Sequence, residues 1–287
     1  MVGKIIKIIS NDYSVLVNDE IIICKPCGKL RHLKEKPVAG DYVVIDYLQK
    51  YIMEIKPRKN QLTRPPVSNI DQAIIITSVK EPDFSSNLLD KLLVNIEFRN
   101  ILPIICFTKL DLLNEEEKKS IKVIIDYYKK IGYKVYLNSE IDDLKKIFKN
   151  KVSIFTGQSG AGKSTLLNRL DDNINLKTAP ISKALNRGKH TTRVVELINL
   201  LDGFIADTPG FSSIEFYDMN KSDIRDNFIE FNLYKDKCQY KDCMHNLEPN
   251  CEVKNQVEKN ILKSRYENYL KFIKWGVLWN YQLQFYP

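Results

Sequence analysis

The sequence predicts a multidomain α/β protein with an N-terminal β-barrel, a central domain on a parallel sheet, and a small C-terminal domain that is cysteine-rich and then helical. Residues 1–67 contain short segments of period-two alternation, the pattern of barrel strands. Residues 68–218 alternate apolar strand segments with helical ones, which is typical of a parallel sheet with crossover helices. Residues 219–287 form the third part, and 287 residues are enough for two or three domains.

The composition is that of a folded globular protein. Hydrophobic residues make up 44% and charged residues 28% of the chain, which excludes disordered and collagenous classes. The apolar runs are far shorter than the ~20 residues that span a bilayer, and the N-terminus lacks the continuous apolar core of a signal peptide. We therefore expect a cytoplasmic protein with no membrane partner, whose six cysteines are reduced thiols or metal ligands.

The barrel prediction rests on about five short strands in residues 1–67. The OB-fold is the commonest nucleic-acid-binding barrel of this size, but an SH3-like barrel or a purely structural domain fits the spacing equally well. The prolines of Arg64-Pro65-Pro66 predict a linker after the barrel, because proline cannot donate to a continuing strand.

A phosphate-binding loop is predicted between the strand at 152–156 and the helix at 163–170. The segment fits G-x-x-x-x-G-K-[ST], in which backbone N–H groups and the helix N-terminus surround phosphates. In such a loop Lys163 would reach the β- and γ-phosphates and the Ser164 hydroxyl would bind Mg²⁺. A chance glycine-rich turn is the alternative. The predicted nucleotide-binding residues of the loop are Gly157, Gln158, Ser159, Gly160, Ala161, Gly162, Lys163, Ser164 and Thr165.

Guanine is the base that the neighbouring motif favours. Thr108, Lys109 and Asp111 follow the apolar strand at 101–107, at the carboxyl end where such sheets bind ligands. The Asp111 carboxylate can accept two hydrogen bonds from guanine, and Lys109 can lie along the base plane. A Lys-x-Asp after a strand is by itself commonly a solvated turn or a cap. Ser139, after the next strand, is the candidate for a further base-binding loop.

Two further segments have the pattern of nucleotide-sensing switches. Asp207-Thr-Pro-Gly210 ends a strand at 203–206, where Asp207 would hold Mg²⁺ through water and the Gly210 amide would sense the γ-phosphate. Thr191 or Thr192, between the two loops, would complete the Mg²⁺ shell. The base motif precedes the phosphate loop, the reverse of the usual GTPase order, so the sequence predicts a circularly permuted domain.

A structural zinc site is predicted in the C-terminal part. Cys238, Cys243, His245 and Cys251 provide three sulfurs and one imidazole within fourteen residues. Zn²⁺ takes such ligands tetrahedrally, and four protein ligands leave no open position for catalysis. Buried thiols without metal are the alternative. Cys24 and Cys27 also have Cys-x-x-Cys spacing, but without a further pair they are interpreted as ordinary reduced cysteines.

Taken together, these motifs resemble the small ribosomal subunit biogenesis GTPases of bacteria, the RsgA, YjeQ or YloQ family. The resemblance covers about residues 1–275 and is carried by Asn60-Gln-Leu-Thr-Arg-Pro65, Asn69-Ile-Asp71-Gln72, Thr108–Asp111, Gly157–Thr165, Gly188–Arg193, Asp207–Phe211 and the Cys238–Cys251 spacing. It implies an OB-fold, a permuted GTPase domain and a zinc domain. It also implies docking on the 30S subunit and its 16S rRNA, stimulated GTP hydrolysis late in subunit assembly, and nucleotide-dependent binding and release. We expect a monomer.

The resemblance also points to a catalytic group. Many GTPases place a water-orienting Gln after the second switch, but Phe211 stands there. His190 lies in the presumed first switch, matches the family histidine thought to be catalytic, and as a neutral imidazole can polarise water. A contact of His190 with RNA or solvent is the alternative.

The sequence departs from the family pattern at three places. Thr108 replaces the usual Asn, which puts a side-chain tie to the phosphate loop in doubt. Lys189 replaces a common Arg, keeping the charge but losing a planar fork. The tail at 276–287 is unassigned. A P-loop ATPase and an RNA-binding scaffold that only uses nucleotide for stability are the competing functions.

The net charge of +8 is unevenly distributed: residues 1–67 carry +5, residues 68–218 carry +1 and residues 219–287 carry +2. The barrel holds the densest basic group, Lys25, Lys29, Arg31, Lys34 and Lys36. Two basic domains on either side of a nearly neutral central domain are consistent with binding to RNA. The affinity of such binding falls steeply as the salt concentration rises. A solvated basic loop is the alternative.

Overall fold

The structure is a computed structural model that describes residues 1–32, 36–63, 66–171, 196–206, 216 and 218–282, apart from the side chains of residues 31, 32 and 275–282. None of the helices in these ranges is long and apolar enough to cross a membrane.

The N-terminal residues form a closed five-stranded barrel in the order β1-β2-β3-β5-β4, closed by antiparallel pairing of β4 with β1. Its strands are β1 (Val2–Ile9), β2 (Asp12–Val17), β3 (Glu20–Pro26), β4 (Tyr42–Asp46) and β5 (Tyr51–Ile55), and a short helix α1 (Gly28–His32) follows β3. Alternate residues point inward, and Ile5, Val15, Val43 and Ile52 are fully buried. A five-stranded barrel with this order is OB-like, which confirms the barrel and favours the OB alternative.

The central domain is built on a six-stranded sheet in the order β10-β9-β8-β11-β13-β12. The strands are β8 (Gln72–Ser78), β9 (Leu102–Thr108), β10 (Lys134–Leu137), β11 (Val152–Gly157), β12 (Leu197–Leu200) and β13 (Gly203–Ala206). Five strands are parallel, as the sequence predicts, but β12 pairs antiparallel with β13 at the edge.

Helices cover both faces of this sheet. They are α2 (Ser86–Phe98), α3 (Glu115–Lys130), α4 (Ile141–Lys146) and α5 (Lys163–Leu170). Ala73 and Ile75 of β8 pack on the face of α2 and α3, and Ile74 and Ile76 pack on the face of α4 and α5. All seven residues of β8 are buried because the strand lies inside the sheet with helices on both sides.

Of the predicted linker at Arg64-Pro65-Pro66, residues 64 and 65 lie outside the described part of the chain, and Pro66 begins a short strand. Gln61–Thr63 (β6) and Pro66–Ser68 (β7) pair as a short antiparallel hairpin, and proline is tolerated as the first residue of such an edge strand. The hairpin is fixed to the barrel by Asp41, a fully buried carboxylate that accepts from Arg58 Nε at 2.6 Å and Ser68 Oγ at 2.6 Å. The barrel is therefore attached through paired buried groups.

The C-terminal part packs against α2. Its helices are α6 (Lys221–Asp226), α7 (Glu252–Asn255) and α8 (Lys263–Gln282). An aromatic cluster of Phe228, Phe231, Tyr269 and Phe272 forms its core. The sequence leaves the tail at 276–287 unassigned, and in the structure α8 continues into it as far as Gln282.

A buried charge network joins the C-terminal part to the central domain. Arg265 of α8 donates from Nη1 to Asp90 of α2 at 2.6 Å and from Nη2 to Glu230 at 3.0 Å, and the exposed fractions of the three side chains are 1%, 0% and 1%. Tyr128 and Asn268 also donate to Asp90, at 2.6 and 2.7 Å. Burial raises the pKa of the Asp90 carboxyl, and Arg265 opposes that rise.

Replacement of Arg265 by Met would leave two buried carboxylates without their cation. We expect Arg265→Met to lower the free energy of unfolding by about 3 to 5 kcal/mol, measured by chemical denaturation. Lys263→Met, on the same helix, removes an exposed pair with Glu258 and should cost at most ~1 kcal/mol. Similar losses in the two variants would contradict a special role for the buried network.

Candidate nucleotide site and metal centre

The predicted nucleotide-binding loops that the structure describes meet at one edge of the sheet. Parallel strands β9, β10 and β11 end together at this edge, so the loops that follow them are neighbours. Thr108 ends β9, Ser139 follows β10, and Gly157 ends β11. The three segments therefore share one surface.

The phosphate loop runs from the end of β11 into α5. Gly157 has φ 131° and lies so close to β8 that a Cβ there would be 1.9 Å from the Ile76 carbonyl oxygen. Gly162 has φ 91° and caps the N-terminus of α5, a backbone conformation that favours glycine. The two glycines are therefore required by the turn, and the N–H groups of the first turn of α5 face the loop.

Lys163 lies over this loop. Its ammonium donates to the carbonyl oxygens of Gly157 at 2.9 Å and Gln158 at 3.0 Å. Burial lowers the pKa of Lys163, since the charged form loses hydration. An anion placed in the loop would offset that cost. Ser164 is half-buried and Thr165 is exposed at the start of α5.

Thr108 is tied directly to the phosphate loop. Its buried hydroxyl donates to the carbonyl oxygen of Ala161 at 2.7 Å. The tie that the replacement of Asn by Thr put in doubt is therefore present: the shorter side chain reaches the loop because β9 and β11 flank the same strand, β8. The tie fixes the base motif against the phosphate loop.

The other two residues of the predicted base motif, Lys109 and Asp111, lie one and three positions after Thr108. The backbone of Lys109 has a left-handed conformation, with φ 63°. Its ammonium donates to the carbonyl oxygen of Glu81. Asp111 is exposed in a single 3-10 turn, Leu110–Leu112.

The loop with Ser139 is held between the base strand and the phosphate-loop helix. The Asn138 N–H donates to the Phe107 carbonyl oxygen at 2.9 Å, and Arg169 of α5 donates to the Asn138 carbonyl oxygen at 2.9 Å. Ser139 itself is exposed. It therefore lies beside the base motif, where the sequence predicts it.

Five predicted site residues lie outside the part of the chain that the structure describes. They are the catalytic candidate His190, the magnesium candidates Thr191, Thr192 and Asp207, and Gly210. Asp207 directly follows β13, which ends at the same sheet edge as β11.

The family models match most of the chain. A model described as RsgA GTPase matches residues 55–217, and a second, the RsgA N-terminal domain, matches residues 2–51. The chain belongs to the RsgA GTPase family. Membership supports the GTPase hypothesis and does not support the ATPase or the non-catalytic scaffold.

Individual members of the RsgA family are similar in sequence to this chain along nearly its whole length. A small ribosomal subunit biogenesis GTPase RsgA 2 from Oceanobacillus iheyensis is 48% identical over 281 residues, covering 95% of this chain and 96% of the relative. A small ribosomal subunit biogenesis GTPase RsgA from Enterococcus faecalis is 44% identical over 278 residues, covering 94% of each chain.

Two solved structures of similar proteins share the architecture. YloQ, described as a circularly permuted GTPase, is 37% identical with a TM-score of 0.81, covering 96% of this chain and 94% of its own. YjeQ from Thermotoga maritima is 31% identical with a TM-score of 0.81, covering 96% and 98%. The permuted order predicted from the motifs is thereby confirmed.

The four predicted metal ligands of the C-terminal part come together. The sulfur atoms of Cys238, Cys243 and Cys251 and one ring nitrogen of His245 lie within 4.8 Å of one another. His245 Nδ1 is 3.3 Å from Cys251 Sγ and 3.6 Å from Cys238 Sγ. These distances and this donor set suit a tetrahedral Zn²⁺.

Burial changes the pKa values of His245 and Cys251. Burial lowers the pKa of His245 to about 4, and Arg225 acts in the same direction, so the imidazole is neutral as a ligand must be. Burial raises the pKa of Cys251 to about 12, and a bound dication would offset the cost of its thiolate. Among the described residues no other such group appears, and Cys24 lies buried in the barrel core.

Sequence reasoning missed the loop between β8 and α2. Lys80 and Glu81 lie in it, and Pro82 lies beside Gly160, where a Cβ would be 3.7 Å from Pro82 Cδ. Their position in the sequence, directly after the apolar strand β8, places them at the carboxyl edge of the sheet where ligands bind. No sequence motif marks them.

The tie between Thr108 and Ala161 generates a prediction. Thr108→Val keeps the shape of the side chain but leaves the Ala161 carbonyl without this donor, which costs about 1 to 3 kcal/mol of unfolding free energy. We expect a matching loss of nucleotide affinity, measured by fluorescent nucleotide titration, because the phosphate loop is less ordered. Thr108→Asn restores a donor and should retain both properties. Equal affinity of wild type and the Val variant would contradict the role of the hydroxyl.

Proposed function

We propose that this protein is a Mg²⁺-dependent GTP hydrolase that binds the small ribosomal subunit and acts in its late maturation. The observation that carries the proposal is the convergence of the phosphate loop and the base motif, joined by the hydrogen bond from Thr108 to Ala161. The two predicted motifs share one sheet edge, along which a nucleoside triphosphate would extend from one to the other.

In this proposal the phosphate loop binds the phosphates of GTP and GDP, and the base motif binds the guanine. The backbone from Gly157 to Gly162 and the ammonium of Lys163 bind the phosphates, and Ser164 contributes to the magnesium ion. The Asp111 carboxylate accepts from guanine N1–H and the exocyclic amine, and Lys109 and Ser139 border the base. The exposure of Asp111 and Ser139 in the structure supports this assignment.

The hydrolytic groups are assigned from the sequence. Asp207 and one of Thr191 and Thr192 complete the magnesium shell, and the Gly210 amide reports the γ-phosphate. His190 orients the attacking water, because Phe211 stands where many GTPases have a water-orienting Gln. Mg²⁺ would stabilise charge on the β- and γ-phosphate oxygens when bound.

The Cys238, Cys243, His245 and Cys251 group holds one structural Zn²⁺ in this proposal. Four protein ligands fill a tetrahedral shell, so the ion stabilises the fold and takes no part in hydrolysis. The contact of Phe231 with the His245 ring, at 5.6 Å between centroids, connects the ligand group to the aromatic core.

The partner is inferred from the relatives and from charge. The curated relatives are named as biogenesis GTPases of the small ribosomal subunit, which contains 16S rRNA. Lys25, Lys29, Lys36 and Lys50 are exposed on the barrel and can meet phosphates. Attachment of a cytoplasmic monomer to rRNA through this basic barrel fits the +5 charge of residues 1–67.

Single-turnover GTP hydrolysis with and without 30S subunits tests the proposal. We expect 30S subunits to stimulate the wild type, and His190→Ala to lower the stimulated rate about a hundredfold or more while GDP affinity is retained. Lys163→Ala, the control, should lose nucleotide binding itself. Unchanged stimulated rates in His190→Ala would remove the imidazole from the reaction, and no stimulation of the wild type would contradict the ribosomal partner.

Metal analysis tests the zinc site. The purified protein should contain about one equivalent of zinc, and Cys243→Ser should lose most of it together with thermal stability. Cys27→Ser, the matched control, changes a half-buried barrel thiol and should leave the zinc content unchanged. Less than half an equivalent in the carefully purified wild type would contradict the assignment.

A further inference from the structure

The loop between β8 and α2, residues 79–85, contacts the base motif from the neighbouring strand. The Val79 N–H donates to the Thr108 carbonyl oxygen at 3.2 Å. The Glu81 carbonyl oxygen accepts from the Lys109 ammonium, and the Phe84 ring packs against Phe107 with 5.9 Å between centroids. We call residues 79–85 the β8–α2 loop.

Lys80 of this loop forms an ion pair with Glu117 of α3. Its ammonium donates to both carboxylate oxygens of Glu117, at 2.9 and 3.0 Å. The Ser78 hydroxyl donates to the Lys80 carbonyl oxygen at 2.7 Å, which fixes the backbone from which the side chain extends. The pair is half-buried, with exposed fractions of 35% and 39%.

Glu117 in turn fixes the chain that follows Asp111. It is the third residue of α3 and forms a capping box, in which its carboxylate accepts from the Asn114 N–H at 2.8 Å and the Asn114 side chain accepts from the Glu117 N–H at 2.9 Å. The hydrogen bonds from Asn114 and Lys80 both lower the pKa of Glu117, so the carboxylate stays charged. Lys80 is thus connected to the N-cap of α3, Asn114, three residues after Asp111.

Asp111 therefore lies between two attachments to the β8–α2 loop. On its N-terminal side Lys109 is held by the Glu81 carbonyl oxygen, and on its C-terminal side Asn114 and Glu117 are held by Lys80. Asp111 itself is exposed in a single 3-10 turn, so its position depends on these flanking contacts. A carboxylate that accepts two hydrogen bonds from one base needs such fixed placement.

We propose that Lys80 is a positioning residue for guanine recognition, acting through Glu117 to hold the turn that carries Asp111. It touches neither base nor phosphate, and its effect should appear in the part of the affinity that depends on the exocyclic amine of guanine. This inference rests on the proposed guanine site.

The test compares GDP with IDP, which lacks only the exocyclic amine, in the full-length protein. We expect the wild type to bind GDP more tightly than IDP and to exclude ADP. In Lys80→Met the affinity for GDP should fall about twofold to fivefold, the range for one partly exposed ion pair, and the ratio of the IDP and GDP dissociation constants should fall towards one. Lys80→Arg can also donate to both oxygens of Glu117 and should restore the ratio.

The control is Lys118→Met on the same helix. Lys118 pairs with Glu115 at 2.8 Å rather than with Glu117, and its loss should leave the ratio unchanged. A role of Lys80 in fold stability alone would lower the melting temperature of Lys80→Met while leaving the ratio of IDP and GDP dissociation constants at the wild-type value, and that result would overturn the inference. A wild type that binds ADP as tightly as GDP would overturn the guanine site itself, which distinguishes the two failures.

Discussion

The site depends on one constraint, the burial of β8 in the middle of the parallel sheet. Its seven residues are buried, and it pairs with β9 on one side and β11 on the other. Hydrogen bonding on both sides fixes the register of the base strand relative to the phosphate-loop strand. The tie between Thr108 and Ala161 exists because that register is fixed.

Both flanking domains are attached through buried charges that are fully paired. Asp41 is held by Arg58 and Ser68 where the barrel meets the hairpin, and Arg265 is held by Asp90 and Glu230 where α8 meets α2. Buried ion pairs contribute little net stability relative to apolar contacts, but an unpaired charge is costly, so they favour one arrangement of the parts. Fixed attachments would let a nucleotide-dependent change in the central domain reach the barrel, which is proposed to bind RNA.

Much of the site could be predicted from sequence because its chemistry is local. The phosphate loop requires glycine at positions such as Gly157, where the backbone approaches β8, and the zinc-type ligands lie close together along the chain. The β8–α2 loop and Arg265 could not be found in this way. Lys80 meets Glu117 across 37 residues, and Arg265 meets Asp90 across 175, and such pairings leave no periodic pattern in the sequence.

By itself the sequence determined the succession of barrel, parallel sheet and Cys/His group, the permuted order of the motifs and the candidate groups for nucleotide and metal, since these follow from short-range spacing and residue chemistry. Only the tertiary structure decided that Thr108 is tied to the phosphate loop, that Pro66 begins a strand paired with β6, and that β12 runs antiparallel at the sheet edge. The physical reason is that strand pairing and side-chain reach depend on which distant segments become neighbours, and that is settled by burial of the whole apolar surface.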